Sequence, residues 1–494
     1  MKSRIILFLV FSSFVIGKAQ TPCDTFKRVD IRAEYRVVGF EPLHIEIGEP
    51  QPALDPPDPN EWRRIYFIHG LGGTAEAWEK AAEACEIGAH GFSARKCLTS
   101  RPEYASSSTG SLNSAASDIR GQMNVIGTTD SLSGFTLPRR SIVIAHSQGG
   151  LVARQLMHLD LVTSPLPINH GINYGGVVTI ASPLQGAAIL KNRNDIFTLA
   201  NDGCNRLPLG PVTRAIYQVP LNFSFNLLGF SYSSNDLKKS ISVLFRGMLP
   251  KICEIATDNI MPMFFKEYYK DITADYNPGT TYGVNYINNL NADVNFTKYQ
   301  DFPKIAFYAV EPQENIFWRT LNWMLNNPNG SNGQSGPNIG HFQANNDWHL
   351  YDNTINDLFA HYQAQSTSFY NIYYSCMVAA GKEKKKKIQD ALYAQANLMF
   401  VFYDAYEQGV EWFNNVNKSW QSIIGAKSYN SSAVKENDGV VLAESAANLP
   451  GSQRQAIRME GSSHMQVRND ENLKTHLNHL FNGDYGPFFK VNTK

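Results

Sequence analysis

The sequence predicts an α/β fold in which a mostly parallel β-sheet is flanked by helices and interrupted by two large, mainly helical insertions. Short apolar runs of the buried-strand type recur along the 494-residue chain, segments compatible with helices follow them, and two long stretches lack this alternation. Strands of parallel sheets are covered on both faces and therefore form continuous apolar runs, and their alternation with helices is typical of doubly wound sheets.

Three of these runs lie in the first part of the chain, over residues 64–68, 141–145 and 177–181. The segments 74–84 and 149–159, which follow the first two runs, have helical patterns. Each strand therefore leads into a turn or a helix at the same edge of the predicted sheet.

The strand pattern stops at about residue 191 and returns briefly at residues 305–310. We therefore divide the mature chain into core segments and insertions, and we expect a single elaborated domain. The core is predicted at residues 20–190, 301–312 and 430–494, and the insertions at residues 191–300 and 313–429.

The insertions admit two interpretations. Residues 217–232 and 242–265 are apolar and rich in methionine, which fits either a cap over a binding site or the helical core of a subdomain. In the second insertion, the basic run Lys382–Lys387 is interpreted as a solvated helix start rather than a nucleic-acid site, because it is one short cluster.

Composition excludes several classes of protein. Lys plus Arg and Asp plus Glu both number 44, so the formal net charge is zero, and 43% of the residues are hydrophobic. This composition provides ample core material and excludes a disordered chain or a fibre. A general nucleic-acid binder would show a basic excess, so we expect no nucleic-acid partner.

The N-terminus has the layout of a secretory signal peptide. Lys2 and Arg4 precede an apolar stretch over residues 5–16, which ends in the small-residue site Gly17-Lys18-Ala19. A membrane span would need about 20 apolar residues. We predict a signal peptide over residues 1–19 and export to the periplasm or the extracellular medium, with a buried helix or membrane anchor as the alternative.

An even number of cysteines in an exported chain indicates disulfides. Cys85 and Cys97 are the expected local pair, and the sequence leaves the remaining connectivity open. The cysteines are Cys23, Cys85, Cys97, Cys204, Cys253 and Cys376.

The strongest chemical signal is the segment Ala145–Gly150, Ala-His-Ser-Gln-Gly-Gly, between a predicted strand and a predicted helix. A sharp turn at this place would raise the hydroxyl of Ser147 above the sheet, and small flanking residues would prevent clashes. Upstream, the glycine-rich loop His69–Gly73 ends the preceding strand. Acyl transfer needs two donors for its oxyanion, and we nominate the backbone N–H groups of Leu71 and Gln148.

A nucleophilic serine needs a general base and an acid that orients the base. His464 lies in a loop between the last predicted strand and the last helix, and Asp438 lies in an Asp-Gly turn upstream. Glu311, directly after the strand at 305–310, is the alternative acid.

Together these segments resemble the α/β-hydrolase lipases, close to bacterial triacylglycerol lipases and their esterase relatives. The resemblance covers about half of the chain and implies an α/β-hydrolase-type sheet, with the insertions as cap or lid. It implies Ser147 as nucleophile, Asp438 as acid and His464 as base, with oxyanion donors at Leu71 and Gln148. The matching segments are His69–Gly73, Ala145–Gly150, Ile180–Gly186, Asp438–Val441 with Ser445, and His464.

The sequence departs from the family pattern at two of these positions. Ala145 replaces the first glycine of GxSxG, and Leu184 stands where many members have histidine. No metal-catalysis motif is present, and no redox or nucleotide cofactor is implied. A structural calcium ion is possible by resemblance, but its ligands do not map onto this sequence.

The expected function is that of a secreted serine hydrolase that cleaves carboxylic esters, lipase-like on apolar acyl chains. Alternatives on the same triad are a short-chain esterase, a phospholipase, a polyester depolymerase or an acyltransferase. A more distant alternative is a catalytically silent, hydrolase-like binding or adhesion protein. The expected partners are an ester or lipid substrate and, transiently, a lipid surface; we infer no stable protein partner.

Overall fold

The fold is that of a computed structural model, which describes a large part of the chain. The predicted signal peptide, most of the first insertion and Cys23, Cys204 and Cys253 lie outside the described residues. The described residues are 58–71, 73–104, 112–134, 140–163, 174–192, 195, 224–227, 230–233, 287, 290, 303–311, 346–427, 433–452, 454–464, 467–468 and 471–494.

Six described strands form one sheet in which every neighbouring pair is parallel. From one edge of the sheet to the other, they are β2 (Cys97–Ser100), β1 (Arg63–Ile68), β3 (Ile142–His146), β4 (Gly176–Ile180), β7 (Lys304–Val310) and β8 (Ile457–Glu460). This confirms the predicted α/β fold class. A separate antiparallel pair, β5 (Ser224–Leu227) and β6 (Phe230–Ser233), lies elsewhere in the chain.

The helices occupy the segments between these strands. The predicted helices at 74–84 and 149–159 are confirmed; the first begins as a 3-10 turn, Ala75–Trp78. A long helix, Leu112–Leu132, packs against the helix Gln148–Thr163 and was not predicted. The α-helices are α1 Glu79–Ile87, α2 Leu112–Leu132, α3 Gln148–Thr163, α4 Ala188–Lys191, α5 Asn346–Lys382, α6 Lys386–Ile423, α7 Ala443–Ala447 and α8 Glu471–Asn482.

The carboxyl ends of the six parallel strands lie at the same edge of the sheet. Strands β3 and β4 are buried along their whole length, in the register Ile142 to Gly176 through His146 to Ile180. Because all six strands run the same way, the segments that follow β1, β3, β7 and β8 leave the sheet at its carboxyl edge. The predicted site residues all lie in segments near that edge.

The chain divides into two compact units, each assembled from separate segments. One contains residues 31–196, 258–352 and 420–494 and includes the six-stranded sheet. The other contains residues 1–30, 197–257 and 353–419, which include most of α5 and α6. The domain boundaries given by the sequence stay predictions.

Helices α5 and α6 are joined by a turn at residues 383–385. Their interior is aromatic: the ring centroids of Phe369 and Phe402 are 5.2 Å apart, and those of Phe369 and Tyr406 are 5.6 Å apart. The basic run Lys382–Lys387 spans the exposed turn and includes the predicted start of a helix, which is α6. Of the described helices, none combines the length and apolar character needed to cross a bilayer.

The expected disulfide between Cys85 and Cys97 is wrong. Both are free, buried thiols, as is Cys376. The thiol of Cys97 donates a weak hydrogen bond to the backbone oxygen of Cys85, with an Sγ to O distance of 3.6 Å, so it faces the peptide group. Burial raises the pKa of both Cys85 and Cys97, so both remain protonated and unreactive at neutral pH.

The C-terminal segment completes the core beneath the sheet. Phe488 and Phe489 pack into the same apolar cluster as the strand residues Phe67 and Phe307. Arg63, at the start of β1, donates to the backbone oxygen of Phe488, and its guanidinium lies 4.8 Å from the centre of that ring. The last residues of the chain therefore hold the first strand of the sheet.

Candidate active site

Ser147 occupies a strained turn between β3 and α3. Its φ is +53°, one of two positive φ values among the described non-glycine residues. A residue with a Cβ atom adopts this left-handed region at a cost of about 1–2 kcal/mol. The backbone N–H of Ser147 donates to the oxygen of Ile180 at 2.9 Å, which ties the strained residue to β4. The turn therefore presents the side chain beyond the edge of the sheet.

The two glycines after Ser147 permit helix α3 to approach the sheet. A Cβ atom on Gly149 would lie 2.5 Å from the backbone oxygen of His69 and 2.8 Å from that of Ile68. A Cβ atom on Gly150 would lie 2.6 Å from the Cβ of Ser182. A side chain at Gly149 would push α3 away from the end of β1, and one at Gly150 would push it away from Ser182 after β4, which explains the Gly-Gly sequence.

Ser147, His464 and Asp438 form a continuous series of hydrogen bonds. The hydroxyl of Ser147 donates to Nε2 of His464 at 2.9 Å, and Nδ1 of His464 donates to Oδ2 of Asp438 at 2.8 Å. Ser147 is 9% exposed, His464 4% and Asp438 0%. The structure thus brings Ser147 to His464, 317 positions later in the chain, and His464 to Asp438, in the geometry by which an imidazole activates a hydroxyl.

Backbone groups fix the carboxylate of Asp438. Its Oδ1 accepts hydrogen bonds from the N–H groups of Val440 at 3.0 Å and Val441 at 2.7 Å, which leaves Oδ2 facing His464. The N–H of His464 also donates to the backbone oxygen of Asp438 at 2.7 Å. The two loops therefore hold each other through side chain and backbone.

The alternative acid, Glu311, lies next to the turn that contains Asp438, but it is not the hydrogen-bond partner of His464 Nδ1. Its N–H donates to the backbone oxygen of Asn437 at 2.8 Å, so the end of β7 touches the Asp438 turn. Its side chain is 1% exposed. Because His464 Nδ1 has one proton and donates it to Asp438, the geometry favours Asp438 as the acid.

The nominated oxyanion donors lie on two segments that meet beside Ser147. Gln148 is the first residue of α3, where backbone N–H groups point out of the helix end. Leu71 lies in the loop after β1, next to Gly70, and a Cβ atom on Gly70 would be 2.8 Å from the Cβ of Ser147. The structure thus places the glycine-rich loop directly against the turn at Ser147.

Sequence reasoning missed two residues that support this arrangement. His146 donates from Nε2 to the backbone oxygen of His464 at 2.9 Å, and Tyr104 contacts both His69 and Gln148. His146 lies within the recognised motif, where only its neighbours drew attention. No sequence signal marks Tyr104, because its contacts join segments that are far apart in the chain.

Burial keeps the second imidazole neutral. The pKa of His146 lies well below its ordinary value of 6.5, first because of burial and then because of His464 and the buried Arg468. Burial likewise lowers the pKa of His69. The pKa of Arg468 falls to about 10 through burial, so it stays charged at neutral pH.

The described residues include no group of three or more His, Cys, Asp or Glu side chains placed to share a metal ion. The described residues therefore offer no such group as ligands for the structural calcium ion that the resemblance allows.

Comparisons with known proteins give distant likenesses. No protein-family model matches the chain, and no curated protein does either. The phospholipase PlaB from Legionella pneumophila is 16% identical over 26% of this chain and 27% of its own, so the chain spans about a quarter of its length, with a TM-score of 0.21. A Bacillus licheniformis lipase in its mature form is 12% identical over 88% of this chain and 96% of that chain, with a TM-score of 0.31.

Similarities at this level carry no argument about function. The α/β-hydrolase type of the fold follows from the parallel sheet and from the strained turn between β3 and α3.

Proposed function

We propose that this protein is a serine hydrolase that cleaves carboxylic esters through an acyl-enzyme. The observation that carries the proposal is the hydrogen-bonded series Ser147–His464–Asp438 at a strained strand-to-helix turn. A binding protein has no need for a serine strained in this way and bonded to an oriented imidazole.

In the proposed reaction, Oγ of Ser147 attacks the ester carbonyl while Nε2 of His464 takes the hydroxyl proton. Asp438 stabilises the imidazolium, and the N–H groups of Leu71 and Gln148 hold the oxyanion. The alcohol leaves with the proton from His464. A water molecule then gives a proton to His464 and attacks the acyl-enzyme, which releases the acid and restores Ser147.

We further propose that the substrate has an apolar acyl part and that the enzyme works after export. Both rest on sequence: the apolar, methionine-rich first insertion and the signal-peptide pattern at residues 1–19. A short-chain esterase, a phospholipase, a polyester depolymerase and an acyltransferase use the same triad. They differ in the acyl and leaving groups, so a substrate series separates them.

The test is the hydrolysis rate across p-nitrophenyl esters from short to long acyl chains, with Ser147→Ala as the blank. We expect a rate that rises with chain length and falls in the variant by about 10³-fold or more. Activity confined to short chains would indicate an esterase. No difference between the protein and the blank at any length would contradict the ester-hydrolase proposal.

We also propose a transient contact with an anionic lipid surface through helices α5 and α6. Tyr370, Tyr374 and Val378 follow each other at four-residue spacing on α5 and are 45%, 58% and 38% exposed. The rings of Tyr373 and Phe400, on α6, are 5.3 Å apart, so the aromatic face spans both helices. The lysine-rich run 382–387 lies at the turn, and lysines attract anionic lipid while tyrosines suit the interface.

Vesicle co-sedimentation tests this contact. Replacing Lys384, Lys385 and Lys387 together by Gln is expected to weaken binding to phosphatidylglycerol-containing vesicles by about ten-fold or more, since each lysine near the surface contributes about 1 kcal/mol. Lys418→Gln, an exposed position near the other end of α6, is the control for the loss of a charge away from the turn. Equal binding by the triple variant and the control would exclude this surface.

A further inference from the structure

The two nominated oxyanion donors belong to two separate segments, the loop after β1 and the start of α3. Leu71 lies in a loop that contains Gly70 and Gly73, which have no side chains to anchor it, and Gln148 begins α3. Oxyanion donors stabilise the transition state only when they are held within a few tenths of an ångström of their positions. Some contact must therefore fix the loop relative to the helix.

Tyr104, from a third segment, touches both. Its hydroxyl lies 3.0 Å from the backbone oxygen of His69 and 3.2 Å from the side-chain amide of Gln148. Its ring stacks on that of His69, with centroids 4.4 Å apart and an angle of 7° between the planes. The side chain is 4% exposed, so water competes little for these bonds.

The proton count gives the bonds a direction. A phenol has one proton and cannot donate fully to both oxygens. The hydroxyl therefore shares its proton between the carbonyl oxygen of His69, the nearer acceptor at 3.0 Å, and Oε1 of Gln148 at 3.2 Å. The result is a shared hydrogen bond that joins Gln148 and His69 through Tyr104.

We propose that Tyr104 is a positioning residue that holds the loop bearing Leu71 at a fixed distance from Gln148 and so shapes the oxyanion site. This inference rests on the proposed ester hydrolysis. Tyr104 touches neither the substrate nor the reacting atoms and acts through the two segments that it joins.

The substitution Tyr104→Phe tests the inference because it keeps the ring on His69 and removes only the hydroxyl. We expect kcat to fall about ten-fold, less than the loss of an oxyanion donor itself, while KM changes less than about two-fold. Affinity for a trifluoromethyl ketone, which forms a tetrahedral adduct with a nucleophilic serine, should fall by the same factor as kcat/KM. A merely structural role would not produce that parallel.

Tyr66→Phe is the matched control. Tyr66 lies on β1, and its buried hydroxyl has no hydrogen-bond partner in the described part of the chain, so its removal should leave kcat and inhibitor affinity unchanged. Wild-type values in Tyr104→Phe, or an equal loss in both variants, would overturn the role of Tyr104 alone. If the wild-type protein shows no hydrolysis that depends on Ser147, the proposed function fails and the inference falls with it.

Discussion

At the scale of single residues, the site depends on an imidazole that must stay neutral. His146 is 2% exposed, and Nε2 donates to the backbone oxygen of His464. Its Nδ1 is buried without a hydrogen-bond partner among the described residues. A proton on Nδ1 would place a buried charge beside the base of the proposed triad and near the charged Arg468.

This imidazole predicts a pH dependence of stability. Burial holds the pKa of His146 well below 6.5, so between that lowered pKa and 6.5 the unfolded chain binds a proton that the folded protein does not. The contribution to the free energy of unfolding is therefore present above pH 6.5. It is lost as the pH falls below 6.5, by about 1.4 kcal/mol per pH unit.

His146→Gln, which keeps a donor near Nε2 and cannot titrate, should lose less stability on acidification than the wild type. Denaturant unfolding between about pH 7.5 and pH 5.5 should show a difference of about 1 kcal/mol in this loss. His479→Gln, which removes a half-exposed imidazole of α8 that pairs with Asp484, is the control for a histidine outside the core. Identical pH dependence in wild type and His146→Gln would contradict the account of this histidine.

How far single residues can be predicted depends on where their contacts come from. The sequence could nominate Ser147, His464 and Asp438 because each lies in a local pattern, a turn between strand and helix or a loop after a strand, and because their order fits a triad. The bonds of Tyr104 and His146 join positions tens to hundreds of residues apart, and no local pattern encodes them.

At the scale of elements, helix α3 can dock against β1 only because Gly149 has no side chain. Gly149→Ala would bring a methyl group within 2.5 Å of the backbone oxygen of His69, which cannot turn away as a side chain could. We expect a loss of about 1–3 kcal/mol in the free energy of unfolding, together with lower esterase activity.

Gly121→Ala on α2 makes the same chemical change where a Cβ atom would meet nothing within 4 Å. Alanine is the better helix former, so this variant should be about 0.5–1 kcal/mol more stable than the wild type. Denaturant unfolding of both variants measures the difference. Equal changes in the free energy of unfolding of the two variants would show that the close approach of α3 to β1 does not contribute to stability.

The elements that sequence reasoning missed have a common cause. Strand β2 has four residues, Cys-Leu-Thr-Ser, and only Cys97 is buried, so the apolar run that revealed the central strands is absent. Helix α2 is rich in Ser, Thr and Gly, residues that favour turns and caps, and it gains its helical state by packing against α3. In both cases, tertiary contacts rather than the local sequence determine the secondary structure.

At the scale of the whole molecule, residues 487–494 stabilise the part of the sheet formed by β1 and β2. Phe489 is 1% exposed in the main apolar cluster, the N–H of Lys96 donates to the backbone oxygen of Asn492 at 2.7 Å, and Arg95 donates to the backbone oxygen of Val491. These contacts tie the segment at residues 489–492 to the residues that precede β2.

Phe489→Ala should therefore cost about 3–5 kcal/mol, the loss typical of a buried phenylalanine. Leu132→Ala, at a side chain 84% exposed at the end of α2, should change stability by less than about 0.5 kcal/mol. Thermal unfolding of both variants provides the comparison. A small effect of Phe489→Ala would mean that the C-terminal segment is not part of the cooperative fold.

The central claim is that Ser147 is a nucleophile activated by His464, and fluorophosphonate labelling tests it most directly. We expect the folded protein to take up one equivalent at Ser147, located by peptide mass spectrometry, and to lose most of the labelling rate in His464→Gln and all of it after denaturation. Folded protein that leaves Ser147 unlabelled, or that reacts equally fast with and without His464, would contradict the account.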